Sequence, residues 1–123
     1  MDNLEVIYVE DDEQEAFIMT VGMRRQGIRI VHVGDLTFDN ADLLRESPFD
    51  QAHALIFDAI LTGASGVEMA EKLRQNGESR PIFLLTAAGN PDPRLLASLD
   101  IRYMRKPPDY RTLASAIRSL IDD

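Results

Sequence analysis

Near its start the chain reads Val6-Ile7-Tyr8-Val9-Glu10-Asp11-Asp12, four apolar residues that run directly into three acidic ones. A short run of β-branched and aromatic residues predicts a strand that is covered on both faces. The acidic residues then stand at the carboxyl end of that strand. In open α/β sheets, sites form beyond the carboxyl ends of the strands, so this stretch predicts both a fold class and the place of a site.

Four more apolar runs repeat the strand pattern further along the chain. They cover residues 28–33, 54–57, 82–85 and 101–104. The second and fifth of the five runs alternate more between apolar and polar residues, which indicates positions nearer the sheet edges.

Five segments with helical spacing follow the five runs. The first begins with Asp12 and Glu15, which are spaced as in a capping box. The fourth is the weakest, because Pro91 and Pro93 leave room only for about residues 94–99. The other three are expected around Leu43 and Leu44, from Gly66 to about Asn76, and from about Asp109 onward.

Strict alternation of strand and helix predicts an α/β fold in three layers, α/β/α, around a five-stranded parallel sheet. Right-handed crossovers leave few topologies, and we expect the doubly wound, flavodoxin-like order 2-1-3-4-5. With 123 residues and no repeat or linker, the chain is predicted to form one domain, residues 1–123.

Composition excludes several classes of function. The formal net charge of −8 argues against direct contact with nucleic acid, which needs clustered basic residues. The absence of cysteine excludes disulfides, thiolate zinc sites and thiol nucleophiles. No apolar run is long enough to cross a membrane, and the acidic start is unlike a signal peptide. We therefore expect a cytoplasmic location without membrane contact.

Polar residues follow four of the five strands. They are Glu10 and Asp11 after the first, Asp58 after the third, Thr86 after the fourth and Lys106 after the fifth. In the expected strand order the carboxylates of Glu10, Asp11 and Asp58 converge. Two carboxylates about 4 Å apart repel by roughly 4 kcal/mol at an effective dielectric constant near 20. An oxygen-only set with few carboxylates favours Mg²⁺ as the neutralising ion. Any one of these residues alone is an ordinary cap, turn or surface residue, but four strand ends on one rim favour a site.

These motifs resemble the receiver domain of bacterial response regulators over essentially the whole chain. The residues that carry the resemblance are Glu10-Asp11-Asp12, Asp58 with Gly63 and Gly66, Thr86-Ala87, Tyr103 and Lys106-Pro107. The resemblance implies phosphorelay signalling, in which a sensor histidine kinase or phosphotransfer domain phosphorylates Asp58 in the presence of Mg²⁺. Such a domain is not an enzyme acting on a separate substrate.

The resemblance also implies a role for each rim residue. Asp11 and Asp58 would bind Mg²⁺ directly, Ile60 through its backbone carbonyl and Glu10 through water. Thr86, Lys106 and the backbone N–H groups of Ala59 and Ala87 would contact the phosphoryl oxygens. The Lys106–Pro107 bond is expected to be cis, which would aim the lysine inward.

Phosphorylation is expected to draw Thr86 inward and to let Tyr103 rotate into the vacated space. This would reshape the face formed by the fourth helix, the fifth strand and the last helix, where an output domain or target protein would bind. Asn90-Pro91 and Pro108 depart from the family pattern beside this face, which leaves homodimerisation open. His32 and His53 match no phosphoacceptor or metal pattern and are interpreted as structural.

Two other functions stay open at this point. A magnesium-dependent phosphatase of the haloacid-dehalogenase kind would need a second aspartate two positions after the nucleophile, where this chain has Ile60. An interaction module that keeps the fold without using phosphate is compatible with the unusual fourth helix, but the complete set of rim residues argues against it.

The side chains that control access of hydrolytic water give a first prediction. By the resemblance, Ile60 and Ala88 hold the two controlling positions, and neither side chain can orient a water molecule. We expect slow loss of the phosphoryl group, with a longer half-life than in an Ile60→Asn, Ala88→Glu double variant. Phosphate release from the two purified phosphoproteins checks this, and an equal or shorter half-life for the unsubstituted chain would contradict it.

Overall fold

The five predicted strands form one parallel sheet. They are β1 (Leu4–Val9), β2 (Ile28–Val33), β3 (Ala54–Asp58), β4 (Ile82–Thr86) and β5 (Ile101–Arg105). The sheet order is β2-β1-β3-β4-β5, which confirms the predicted topology. The computed structural model describes residues 4–61, 64–87 and 92–121.

The burial of each strand agrees with its place in the sheet. All five residues of β3 and of β4 are buried, as expected for central strands with helices on both faces. In β2 exposed residues alternate with buried ones, and in β5 exposed residues predominate. These two strands form the edges of the sheet. The edge positions predicted from the alternation are therefore confirmed.

Within the described residues, four α-helices cover the sheet. They are α1 (Glu13–Arg24), α2 (Gly66–Gln75), α3 (Pro93–Ser98) and α4 (Tyr110–Ile121). Asp12, Ser65 and Asp92 cap the first three helices with side-chain oxygens, and of these caps only Asp12 was predicted. Gly77, with a φ of +92°, follows α2 in the left-handed conformation that favours glycine.

Two apolar cores lie on opposite faces of the sheet. Met23, Leu113 and Ile117 belong to the core that α1 and α4 form with one face. Met69 and Leu73 of α2 belong to the core on the other face. The architecture is therefore the predicted three-layer α/β/α arrangement.

The second helical segment differs from the prediction. It consists of two 3₁₀ turns, Ala41–Arg45 and Phe49–Gln51, rather than an α-helix. The Arg80 guanidinium donates to the carbonyl oxygens of Leu44 at 2.8 Å and Phe49 at 2.8 Å. These side-chain bonds satisfy carbonyls that a longer α-helix would have used itself, and Pro48 cannot continue such a helix.

A short antiparallel ladder between Ile60–Leu61 and Ala64–Ser65 also had no counterpart in the prediction. Four residues named from the sequence, Gly63, Ala88, Asn90 and Pro91, lie outside the described residues. The single-domain assignment stays a prediction. Among the residues that the structure describes, none of the helices has the length and apolar character needed to cross a membrane.

Gly66 gives a prediction about stability. A Cβ at this position would lie 2.2 Å from the backbone oxygen of Asp58 and 2.7 Å from a methyl group of Leu84. Because neither the strand nor the core can yield easily, Gly66→Ala is expected to lower the free energy of unfolding by about 1–3 kcal/mol. Urea denaturation measures this change. Gly34→Ala is the matched control, since its nearest contact would be an ordinary 3.5 Å, and equal losses in both variants would contradict the prediction.

Candidate functional site at the carboxyl rim of the sheet

The register of the central strands brings the predicted site residues together. Val9 pairs with Phe57, so Glu10 and Asp58, the residues that follow them, lie side by side. On the other side the backbone N–H of Lys106 donates to the carbonyl oxygen of Thr86 at 2.8 Å. The ends of four strands thus meet at one rim, as the sequence predicted.

Lys106 and Asp58 form the shortest ion pair of this rim. The Lys106 Nζ lies 2.5 Å from Oδ2 of Asp58 and 3.4 Å from Oε2 of Glu10. The side chains of Lys106 and Asp58 are only 15% and 12% exposed, and that of Glu10 only 1%. The Lys106–Pro107 bond is cis, as the resemblance led us to expect.

Glu10 is a buried carboxyl group with donors on both oxygens. The Tyr8 hydroxyl donates to its Oε2 at 3.1 Å, and the backbone N–H of Asp12 donates to its Oε1 at 3.1 Å. Burial raises the pKa of Glu10 to about 8, and its hydrogen bonds with the carboxyls of Asp58 and Asp11 act in the same direction. Without a metal ion, a proton on Glu10 therefore reduces the repulsion between the neighbouring carboxylates.

Asp58 is ionised despite its burial. Burial alone would raise its pKa, but hydrogen bonds from Glu10, Lys106 and the Ile60 N–H outweigh that effect and lower it. The contacts with Asp58 and Glu15 likewise outweigh burial in raising the pKa of Lys106. At neutral pH the rim thus presents a carboxylate beside an ammonium group.

Asp11, the residue after Glu10, is exposed. Its carboxyl and that of Asp58 both hydrogen-bond to Glu10, so the three predicted acidic residues share one environment. The expectation that they converge is met.

Glu15 belongs to the same cluster and was missed in the sequence. Its two carboxylate oxygens lie 3.1 and 3.3 Å from the Lys106 Nζ. The spacing of Asp12 and Glu15 had predicted a capping box, but only half of that box forms. The Asp12 side chain accepts from the N–H groups of Gln14 and Glu15. The Asp12 N–H, which Glu15 would accept from in a capping box, donates to Glu10 instead. The Glu15 side chain pairs with the Lys106 ammonium instead of capping the helix.

The backbone donors near Asp58 differ from those expected. The Ala59 N–H, expected to contact a phosphoryl group, donates to the Leu85 carbonyl oxygen at 2.8 Å. The N–H beside the carboxylate is that of Ile60, 3.1 Å from Oδ1 of Asp58. The reason is that the Ala59 N–H continues the ladder between β3 and β4 for one more residue. Ala87 is exposed just beyond β4.

The two predicted switch residues lie on neighbouring strands. Thr86 is buried at the end of β4 and takes part in side-chain or electrostatic contacts. Tyr103 on β5 is 46% exposed.

The two histidines both contact backbone groups: a ring nitrogen of His32 lies 2.5 Å from the Glu10 carbonyl oxygen, and His53 Nδ1 accepts from the Glu5 N–H.

The donor set fits a hard divalent cation. Carboxylate oxygens of Glu10, Glu15 and Asp58 lie within 4.8 Å of one another, and Asp11 adjoins Glu10. Carboxylates so close together require a proton, an ammonium or a metal ion between them, and an all-oxygen set of this kind suits Mg²⁺. Here the Lys106 ammonium lies among Glu10, Glu15 and Asp58.

The raised pKa of Glu10 predicts how stability depends on pH. The unfolded chain loses the Glu10 proton near the ordinary glutamate pKa, whereas the folded chain keeps it up to about pH 8. Between these values the folded state binds more protons, so the metal-free protein should lose stability as the pH rises, by at most about 1.4 kcal/mol per pH unit. Glu10→Gln should flatten this decline.

Urea denaturation at several pH values with a chelator present measures the effect. Glu13→Gln, a change of the same charge at an exposed position in the first turn of α1, should keep the decline. An identical pH dependence in Glu10→Gln and the unsubstituted protein would contradict the assignment.

Known proteins resemble this chain in sequence and in fold. No family model matches the chain. In sequence it is 28% identical over 99% of its length to the transcriptional regulatory protein YbdJ of Bacillus subtilis, of which it covers 52%. It is 36% identical over 78 residues, 61% of this chain, to the response regulator RppA of Synechocystis, covering 33% of that protein. The chain thus spans about half the length, or less, of these relatives.

Among solved structures, the receiver domain of the Francisella response regulator 1452 superimposes with a TM-score of 0.81 at 20% identity. The match covers 98% of both chains. The chain therefore has the fold of response-regulator receiver domains and is similar in sequence to response regulators.

Proposed function

We propose that this chain is a phosphorelay receiver domain that accepts a phosphoryl group on Asp58. The observation that carries the proposal is the buried Asp58 carboxylate, which lies 2.5 Å from the Lys106 ammonium and beside the buried Glu10, in a fold shared with receiver domains. Its partner would be a sensor histidine kinase or phosphotransfer domain that carries a phosphohistidine.

The reaction needs an ionised, positioned nucleophile. The lowered pKa of Asp58 keeps it ionised, while the Ile60 N–H and Lys106 hold one carboxylate oxygen each. One Asp58 oxygen forms a bond to phosphorus as the phosphorus–nitrogen bond of the donor breaks, and the histidine nitrogen leaves with that electron pair. The phosphoryl group thus passes to the chain's own side chain, with no separate substrate turned over.

The rim offers donors for the oxygens of the transferred group. Lys106 can move a hydrogen bond from Asp58 to a phosphoryl oxygen, and Thr86 and the Ala87 N–H lie at the end of the next strand. Because the Ala59 N–H is engaged with Leu85, we infer that the Ile60 N–H takes its place. Donors already in place stabilise the developing charge without reorganisation.

We propose Mg²⁺ as the cofactor, held by Asp11, Asp58 and the Ile60 carbonyl, with Glu10 acting through water. When bound, it would neutralise charge on the phosphoryl oxygens during transfer. The protein's own contribution is to hold these oxygen ligands together at the ends of β1 and β3.

We also propose that the switch runs through Thr86 and Tyr103. A bound phosphoryl group would attract the Thr86 hydroxyl, and Tyr103, now 46% exposed, would turn inward. The face of α3, β5 and α4 would change shape for an output domain or target protein. With a net charge of −8, the domain itself is not expected to contact nucleic acid. The cytoplasmic location expected from the sequence remains a prediction.

The phosphodonor would approach over the first helix. Phe17 and Ile18 of α1 are 68% and 56% exposed, which is unusual for large apolar side chains. Ile18 lines a cavity of about 340 Å³ together with Lys106 and Pro107, so this apolar surface extends to the lysine that contacts Asp58. A partner helix that covers it would bring a phosphohistidine to Asp58.

Phosphorylation of Asp58 can be tested directly by intact mass. Acetyl phosphate with Mg²⁺ is expected to add one phosphoryl group to the protein, and removing Mg²⁺ with a chelator is expected to reduce the phosphorylated fraction at least tenfold. Asp58→Asn should gain none, because an amide oxygen is a poor nucleophile.

Asp50→Asn is the control, since Asp50 is exposed on the second 3₁₀ turn, away from the rim. It should be phosphorylated like the unsubstituted protein. A phosphoryl group on Asp58→Asn, or none on the unsubstituted protein, would overturn the proposed function.

A further inference from the structure

The Lys106 ammonium has three carboxyl partners, Asp58, Glu10 and Glu15, and Glu15 is not explained by the proposed function. Glu15 lies in the first turn of α1, on a different element from the strand-end residues, with both oxygens within 3.3 Å of the Lys106 Nζ. We propose that Glu15 is a positioning residue that holds Lys106 in the resting state and competes with the phosphoryl group for it, which slows phosphorylation. This inference rests on the proposed function of Asp58.

The position of Glu15 is selected by charge rather than imposed by packing. Its side chain is 44% exposed, so water is available as an alternative to the ammonium. Helix capping does not hold it either, because Asp12 caps α1 and the Asp12 N–H that a capping box would offer it is bonded to Glu10. The Lys106 ammonium is therefore the group that fixes the carboxylate at the rim.

The ammonium has three N–H donors and three neighbouring carboxyl groups. In the resting state they face Asp58 at 2.5 Å, Glu15 at 3.1 Å and Glu10 at 3.4 Å. A phosphoryl group on Asp58 needs at least one of these donors. Of the three partners, Glu15 is the most exposed and can return to water most easily.

The Glu15 carboxylate also repels the phosphoryl group that is transferred to Asp58. One of its oxygens lies within 4.8 Å of a carboxylate oxygen of Asp58. A phosphoryl group brings a charge of about −2 into that space, so a fixed negative charge nearby raises the barrier to its transfer. Glu15 should thus favour the resting state over the phosphorylated state.

A different role for Glu15 would be that of a metal ligand, since its oxygens group with those of Glu10 and Asp58. In the structure, however, the Lys106 Nζ is within 3.4 Å of all three residues and fills the space between them. An ion held by the same three oxygens would have to displace the ammonium. The two roles predict opposite effects of Glu15→Gln, which makes them separable.

The test compares phosphorylation rates with acetyl phosphate, followed by intact mass over a series of Mg²⁺ concentrations. At saturating Mg²⁺, Glu15→Gln is expected to react about three to ten times faster than the unsubstituted protein. Glu13→Gln, which removes the same charge from an exposed position in the same helical turn, should stay within about twofold. The Mg²⁺ concentration for half-maximal rate should not increase in Glu15→Gln.

A second readout needs neither metal nor phosphate. Lys72 and Lys106 are the only lysines in the chain, so NMR of ¹⁵N-labelled lysine ammonium groups gives two side-chain signals. In metal-free protein the Lys106 ammonium should exchange slowly with water and should exchange several times faster in Glu15→Gln. Lys72 on α2, across the sheet from α1, serves as the internal reference.

The outcomes separate this inference from the proposed function. Equal or slower phosphorylation of Glu15→Gln, a higher Mg²⁺ requirement, or unchanged exchange of the Lys106 ammonium would overturn the role of Glu15 while Asp58 remains the acceptor. If neither protein gains a phosphoryl group, the proposed function fails and the competition by Glu15 fails with it.

Discussion

The pairing of the Lys106 ammonium with buried carboxylates is the interaction on which the rim depends. Removing one partner from a buried ion pair typically costs about 3–5 kcal/mol, because the remaining charge is left without compensation. Here one ammonium faces Asp58, Glu10 and Glu15, and the excess negative charge is relieved by a proton on Glu10. The cluster is therefore poised to exchange a proton or an ammonium contact for a metal ion or a phosphoryl group.

The strand register of the sheet, rather than contacts between the side chains, sets the positions of these charged groups. The pairing of Val9 with Phe57 fixes Glu10 against Asp58, and the Lys106 N–H continues the ladder to Thr86. Gly66 lies so close to the backbone of Asp58 that a Cβ would not fit, so α2 also restrains the strand end. Rigid strands on both sides thus hold charges that would otherwise separate.

Much of this could be predicted from sequence because strands and strand ends leave local signals. The apolar runs gave the sheet, and the polar residues after them gave Glu10, Asp58, Thr86 and Lys106. Glu15 could not be found in this way, because its partner is 91 residues away and its spacing from Asp12 also fits a local cap. The 3₁₀ turns before β3 are contacted by the Arg80 guanidinium, which is also distant in sequence, 31 and 36 residues from Phe49 and Leu44. What sequence missed in both cases is a contact between charged side chains and groups far along the chain.

The contact between Lys106 and Asp58 can be measured most directly by following the Asp58 carboxyl carbon by ¹³C NMR as the pH is lowered in metal-free protein. Asp58→Asn identifies the signal, and Lys106→Met removes the ammonium while keeping an unbranched side chain. The pKa of Asp58 should lie below the usual aspartate value in the unsubstituted protein and should rise in Lys106→Met. An Asp58 pKa that is the same in both proteins would show that the ammonium does not hold the carboxylate, and the account of the rim would be wrong.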